Sequence, residues 1–204
     1  MTIDFKKVQK ELYLPVANKF SQIKVPKMNF VMIDGKGDPN ISQEYVEAIE
    51  ALYAVSYALK FFSKRELDKD YVVPPLEGLW WSDDMTSFIR RDKAAWQYTM
   101  MIRVPEWLER ANVKQAIKTV AAKKPALKVD RLRFESLTEG LCVQRMHIGS
   151  YDDETPTLLE LHNEWLPQNG YEPTIKHHEI YLSDPRKTVA AKLKTVLRQP
   201  IKKI

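Results

Sequence analysis

The feature that most restricts how this chain can fold is an order of elements that occurs twice. Residues 27–34, KMNFVMID, read as a strand that stops at Gly35-Lys36-Gly37, and Asp38-Pro39-Asn40 leads into a helix. Asn40 can cap that helix, with Gln43 three residues on. Tyr45, Ile49, Leu52 and Leu59 then repeat at helical spacing, widened by Val46, Tyr53 and Phe62, to about residue 63. Pro74 and Pro75 limit residues 76–82 to a short extended piece. AWQYTMMIRV (95–104) is a further strand. The second occurrence starts with LCVQRMHI (141–148) as a strand. Thr155 serves as cap and Pro156 fills the first helical position. Leu158, Leu161, Trp165 and Leu166 form the apolar stripe, Asn169-Gly170 the stop, and TIKHHEIYL (174–182) the returning strand. Met32-Ile33 and His147-Ile148 lie 115 residues apart, as do Asn40 and Thr155. The expectation is an α+β fold from duplicated strand–helix–strand–strand units. They would form two sheets about a pseudo-twofold cleft, with helices on the outer faces, and such a cleft is a natural ligand site.

The remaining segments fit around that repeat. Pro105 can start a helix over residues 106–122, Pro125 ends it, and VDRLRFESL (129–137) alternates as a strand. Residues 1–24 are poorly periodic and read as an extension lying on the fold. Residues 25–204 then form a single domain. The last twenty residues supply a short helix and a last strand, with their basic groups read mainly as a solvated edge.

The 204 residues carry 32 Lys+Arg against 27 Asp+Glu, a formal net charge of +5. Seven of those bases and no acid lie in residues 185–204, which contain no aromatic residue. The body is thus slightly acidic, and residues 134–184 hold ten acids against two bases. A nucleic-acid binder gathers cations on a working face, often with aromatics among them, so this distribution argues against nucleic acid as a partner. Cys142 is alone, which excludes a disulfide framework and a cysteine-based metal site. No run approaches 18 apolar residues and the N-terminus has no apolar signal region, so no membrane partner and a cytoplasmic location are expected.

Three phrases carry a resemblance. PKMNFVMIDGKGDPN (26–40), PPLEGLWW (74–81) and HHEIYLSDPRKT (177–188), closing with LRQPI (197–201), resemble the stand-alone GyrI-like small-molecule-binding proteins. The resemblance runs from about residue 24 onward and implies a duplicated α+β unit, as the repeat does. Related domains serve as effector-binding halves of multidrug-sensing regulators that carry a helix-turn-helix domain, for which 24 residues are too few. A subset of the family is known for hydrolysing the strained cyclopropane of DNA-alkylating cyclopropanoid compounds held in an aromatic cage. PPLEGLWW and HHEIYLSDP look most like that subset.

Glu179 is the first candidate for catalysis. Alternation places His177, Glu179 and Tyr181 on one face of their strand and His178, Ile180 and Leu182 on the other. Ile180 and Leu182 suit a helix-packed core, which directs Glu179 and Tyr181 toward the cleft. By pattern alone a solvated glutamate is the simpler reading. The resemblance, in which the Glu of this phrase lies in the pocket, favours a general base on water. Trp80 and Trp81 point to opposite faces, one to the core and the other to the cage, with Trp81 preferred for the cage. Tyr98 offers a phenol for a ligand or water, and Trp165 is either core or cage. The four histidines show no metal-ligand spacing, the Gly35–Gly37 turn matches no phosphate-binding motif, and no metal or cofactor is implied. The expected partner is a hydrophobic aromatic small molecule. The functions left open are an enzyme that detoxifies it, a protein that only binds or sequesters it, and a protein that protects gyrase.

Overall fold

The computed structural model describes residues 2–84 and 86–204. Along the chain the elements are α1 (Phe5–Val8), α2 (Lys10–Tyr13), β1 (Ser21–Val25), β2 (Met28–Lys36), α3 (Gln43–Glu66), β3 (Leu76–Trp81), α4 (Thr86–Arg90), β4 (Gln97–Val104), α5 (Arg110–Lys123), β5 (Arg133–Leu137), β6 (Gly140–Ile148), α6 (Thr155–Glu160), a π-helical turn (Leu161–Trp165), α7 (Leu166–Asn169), β7 (Tyr171–Pro173), β8 (His177–Tyr181) and β9 (Lys194–Lys203). They cluster into two compact units, one of residues up to Val8 with Met28–Leu137, the other of Gln9–Lys27 with Thr138–Ile204.

In the first unit the antiparallel order is β3-β4-β2-β5. The apolar stripe of α3 (Ala48, Leu52, Val55, Leu59) is buried at 3% exposure or less, and α3 packs on β2 and β4. The other sheet face takes Phe5 of α1, whose ring lies under the Arg103 guanidinium at 4.3 Å and stacks on Trp107 at 6.2 Å.

The second unit repeats this order. β8-β9-β6-β1 is again antiparallel, with β7 pairing the end of β9. Val143 and Ile201 bury one sheet face against Leu161 and Leu166 of the helical layer. The opposite face is capped by α2, whose Leu12 carbonyl accepts from Arg198 and whose Glu11 carbonyl accepts from Gln144 Nε2 at 2.7 Å.

The duplication is real in topology, and its offset is 112 rather than 115. β2 spans 28–36 and β6 spans 140–148, while the helix caps are Ser42 and Glu154. Neither Asn40 nor Thr155 caps. Asn40 is instead held in a tight turn by Asp38 Oδ1, and the Ser42 hydroxyl accepts from Tyr45 N at 3.2 Å. The strand also runs through Gly35 to Lys36 instead of stopping, because the Tyr98 ring covers Gly35 from the neighbouring strand.

Three other expectations change. Within the segment read as an extension lying on the fold, Ser21–Lys24 continue into Val25 as a full edge strand on β6. The basic tail is not a solvated edge over its length, because β9 runs between β6 and β8 and Arg198 is wholly buried. Exposed cations remain at Arg186, Lys187 and Lys202. The helix predicted from Pro105 begins only at Arg110, after a turn in which Leu108 N reaches the Pro105 carbonyl at 3.0 Å.

Candidate functional site

The register fixes which side chains share a face. Trp80 lies opposite Tyr98, and Tyr98 opposite Gly35. In the second unit Tyr181 lies opposite Thr195, and Thr195 opposite His147. The two rows correspond, since Gly35 and His147 are 112 residues apart like the strand ends around them. One step along, Gly78 and Met100 of the first unit correspond to Glu179 and Leu197 of the second. Equivalent places in the two repeats have therefore been filled with opposite chemistry.

In the first unit the place is filled by rings. Tyr98 meets Tyr45 of α3 edge-on at 5.2 Å and Trp80 at 5.5 Å. Trp80 meets Trp96 at 5.9 Å, and Phe88 stacks on Trp96 at 4.8 Å. Tyr98 is wholly buried and Trp80 nearly so, both on the helix-covered face. The phenol of Tyr98 makes no hydrogen bond within 3.5 Å, and burial, with Glu44 adding, pushes it up to about 12. Trp81 points to the other face and is only partly buried.

In the second unit a buried acid, Glu179 in the place of Gly78, lies one row along from Tyr181 and Thr195. Glu179 of β8 accepts from Tyr181 Oη through Oε2 at 2.7 Å, and its Oε1 lies 3.8 Å from His177 Nε2. Its side chain is only 14% exposed. Burial raises the carboxyl to about 7, although the Tyr181 hydroxyl and His178 act in the opposite sense. Glu154, the residue before α6, is 4% exposed. Burial raises its carboxyl well above the usual range. The charge of Glu179 raises it further, Asp152 adds to this, and the Thr195 hydroxyl partly offsets it. Glu154 Oε1 has no hydrogen-bond partner within 3.5 Å. The Tyr151 ring stands edge-on to that of Tyr181 at 5.6 Å.

These contacts reverse the sense predicted for β8. Glu179 and Tyr181 share their face with Val143 and Ile201, the one covered by the helical layer from Glu154 to Asn169. His178 and Ile180 take the α2 side. There His178 Nδ1 bonds Glu139 Oε1 at 2.9 Å, and Arg198 reaches Glu139 Oε2 at 3.2 Å and Gln144 Oε1 at 3.0 Å. Burial alone would raise Glu139, but His178 and Arg198 prevail and hold it at about 2. Both faces of β8 are thus covered, one by a polar network of His178, Glu139, Arg198 and Gln144, the other by the helical layer above the raised carboxyls.

Of the predicted site residues, the structure joins Glu179 with Tyr181 and, separately, Trp80 with Tyr98. Trp165 stacks on Tyr171 at 6.0 Å and tilts against Phe20 at 6.1 Å, beside Val143 and Ile201. Glu154 was missed in the sequence, where Asp152 and Asp153 read as loop charges and Thr155 as the cap. Its one local signal is an acid immediately before Thr-Pro at a helix start. Among the described residues no cluster of three His, Cys, Asp or Glu is arranged to hold a metal ion, and no helix is long and apolar enough to cross a membrane.

Chemically, the cluster offers two buried carboxyls poised differently. A carboxyl near 7 can take a proton from water at neutral pH, and a second raised carboxyl beside it can hold a proton that an ordinary glutamate would have lost.

Comparison with known proteins agrees with the fold. No curated protein matches the chain. Among solved structures, a conserved protein from Listeria innocua superposes with a TM-score of 0.90 at 41% identity, covering 98% of this chain and 100% of its own. A protein from the same species described as a hydrolase gives 0.86 at 40% identity, with the same coverages. The EcmrR C-terminal domain, at 12% identity and a TM-score of 0.59, shares the fold. The model of the GyrI-like small molecule binding domain matches residues 18–202, and the chain belongs to that family.

Proposed function

We propose that this protein is a hydrolase that adds water to a hydrophobic, aromatic small-molecule electrophile, with the cyclopropane of cyclopropanoid DNA-alkylating compounds as the substrate class. One observation carries the reading. Glu179 and Glu154 are buried together in the second unit, both raised, with Glu179 at about 7 and already oriented by the Tyr181 hydroxyl. Two relatives at 40% identity described as hydrolases support it.

The chemistry needs little more. A cyclopropane conjugated to a dienone opens when an oxygen nucleophile adds to its carbon and the carbonyl oxygen gathers charge. Glu179 as carboxylate takes a proton from the attacking water, and the C–O bond forms as the strained C–C bond breaks. The electron pair runs to the carbonyl oxygen, which takes the proton of Glu154 and becomes a phenol. Water is consumed and no net proton is released, so transfer of the proton from Glu179 back to Glu154 resets the pair. Tyr151 and Tyr181 supply ring surface for a flat ligand, worth about 0.5–1.5 kcal/mol per stacked or edge-on pair beyond area burial.

The test is incubation of a cyclopropanoid alkylator with the protein in ¹⁸O-labelled water, followed by mass spectrometry. Catalytic gain of one labelled water is expected. It should fall by 10²-fold or more in Glu179→Gln, the usual scale for general acid–base catalysis. Tight binding with no water gain would replace hydrolysis by sequestration.

A further inference from the structure

Glu179 has a second neighbour that the reaction above does not use. His177 lies two residues away on the same face of β8, with its side chain 11% exposed and neither ring nitrogen within hydrogen-bond distance of a partner. A nearly buried imidazole normally satisfies at least one nitrogen. This one faces the free oxygen of a carboxyl whose other oxygen is already bonded, at 3.8 Å, about one ångström beyond a good hydrogen bond.

The element opposite is also unusual. Leu161–Trp165 forms a π-helical turn between α6 and α7, and Pro167, which has no N–H to donate, follows two residues later. Such wide turns occur mostly as single insertions and often at functional sites. His162 of this turn, with His178, adds to the burial that holds His177 down to about 3, so the His177 ring is neutral at working pH. A neutral imidazole carries one N–H and can donate it without bringing charge.

We propose that His177 is a positioning residue for Glu179. When the carboxyl ionises, the imidazole closes the gap and donates Nε2–H to Oε1, completing a two-donor cradle with Tyr181 Oη on Oε2. The carboxylate is then fixed with its remaining lone pairs toward the substrate water. This rests on the reading of Glu179 as the base. The groups beside the carboxyl are Tyr181 and His177 on its own face of β8 and Glu154 before α6, which itself senses Asp152 and Thr195; His178 acts on it through the strand from the opposite face, and His162 of the π-helical turn acts on His177. Across the sheet in the same row, Arg145 is engaged by Glu160 at 2.7 Å and by the Ala17 carbonyl. His177 is thus a neutral ring beside the free carboxyl oxygen, with the Gln199 side chain as its other polar neighbour.

The test is a ¹³C carboxyl titration of Glu179 in the intact protein without substrate, compared in His177→Gln and His177→Leu. Loss of a donor to a carboxylate raises its titration midpoint, so His177→Leu should shift Glu179 upward by about one pH unit, a tenfold change in proton affinity. Gln, which keeps an N–H, should restore most of it. The acid limb of the pH–rate profile should move in parallel. An unchanged Glu179 midpoint in a folded His177→Leu, or equal shifts in both variants, overturns the cradle. A shifted midpoint in a protein that never adds water leaves the cradle standing and removes the hydrolase reading instead.

Discussion

Replacing Glu179 by Gln should make the protein more stable, and only at higher pH. In the unfolded chain this carboxyl ionises near 4.5, and in the folded protein near 7. Below about pH 4.5 both states hold the proton and the group is without effect. As pH rises from there to 7 the unfolded chain releases its proton while the folded one retains it, and stability is lost progressively. Above 7 the loss is complete, and the difference in midpoints corresponds to about 3 kcal/mol. Gln removes the ionisation but keeps a carbonyl oxygen for the Tyr181 hydroxyl. Urea unfolding at pH 4.5, 6 and 8 is the assay. The variant should match the wild type at pH 4.5 and exceed it by up to about 3 kcal/mol at pH 8, while losing turnover. An equal gain at all three pH values would assign the effect to packing. No gain at pH 8 would show that the carboxyl is not raised and would refute the reasoning.

Gly35→Ala should destabilise the first unit by about 1–3 kcal/mol, because the new Cβ would overlap the Tyr98 ring, and its cost should shrink when it is introduced into a Tyr98→Ala background in thermal unfolding. Arg198→Met should cost about 3–5 kcal/mol by leaving Glu139 buried against a broken network, read by denaturant unfolding at pH 7. Because Glu139 is held at about 2, its contribution is present above pH 4.5 and fades as pH falls toward 2, so the cost of Arg198→Met should shrink in acid. Trp165→Ala should cost about 3–5 kcal/mol through lost stacking on Tyr171 and Phe20, with the Glu179 titration midpoint unchanged by carboxyl NMR.

The duplicated topology was legible because both repeats punctuate strand and helix with strong local signals, such as Asp38-Pro39 and Thr155-Pro156. The offset was misjudged by three residues because capping chemistry does not distinguish Asn40 from Ser42 without the turn geometry. The grouping of His177, Glu179 and Tyr181 on one face followed directly from strand alternation. Which face that was did not, because β8 is covered on both sides. Ile180 looks like the core partner of a helix, yet its neighbours are the buried polar groups His178 and Arg198 under α2. Sequence alternation separates apolar from polar, and here polar residues occupy both faces. Glu154 was invisible for a different reason. Its raised carboxyl depends on Glu179 and Thr195, which reach it only once β8 and β9 have paired. Arg198 likewise read as one more cation in a basic tail, and its role is set by Glu139 and Leu12, 59 and 186 residues away.

The central claim is that the second unit carries two buried carboxyls, both raised and each sensing the other's charge. A carboxyl titration of the wild-type protein with ¹³C-labelled glutamate, assigned through Glu179→Gln and Glu154→Gln, tests it most directly. One resonance should titrate near 7 and disappear in Glu179→Gln, while a second titrates well above the usual carboxylate range and moves down in that variant as the neighbouring charge is removed. Two carboxyls that both titrate between about 4 and 5, indifferent to each other's replacement, would contradict the account.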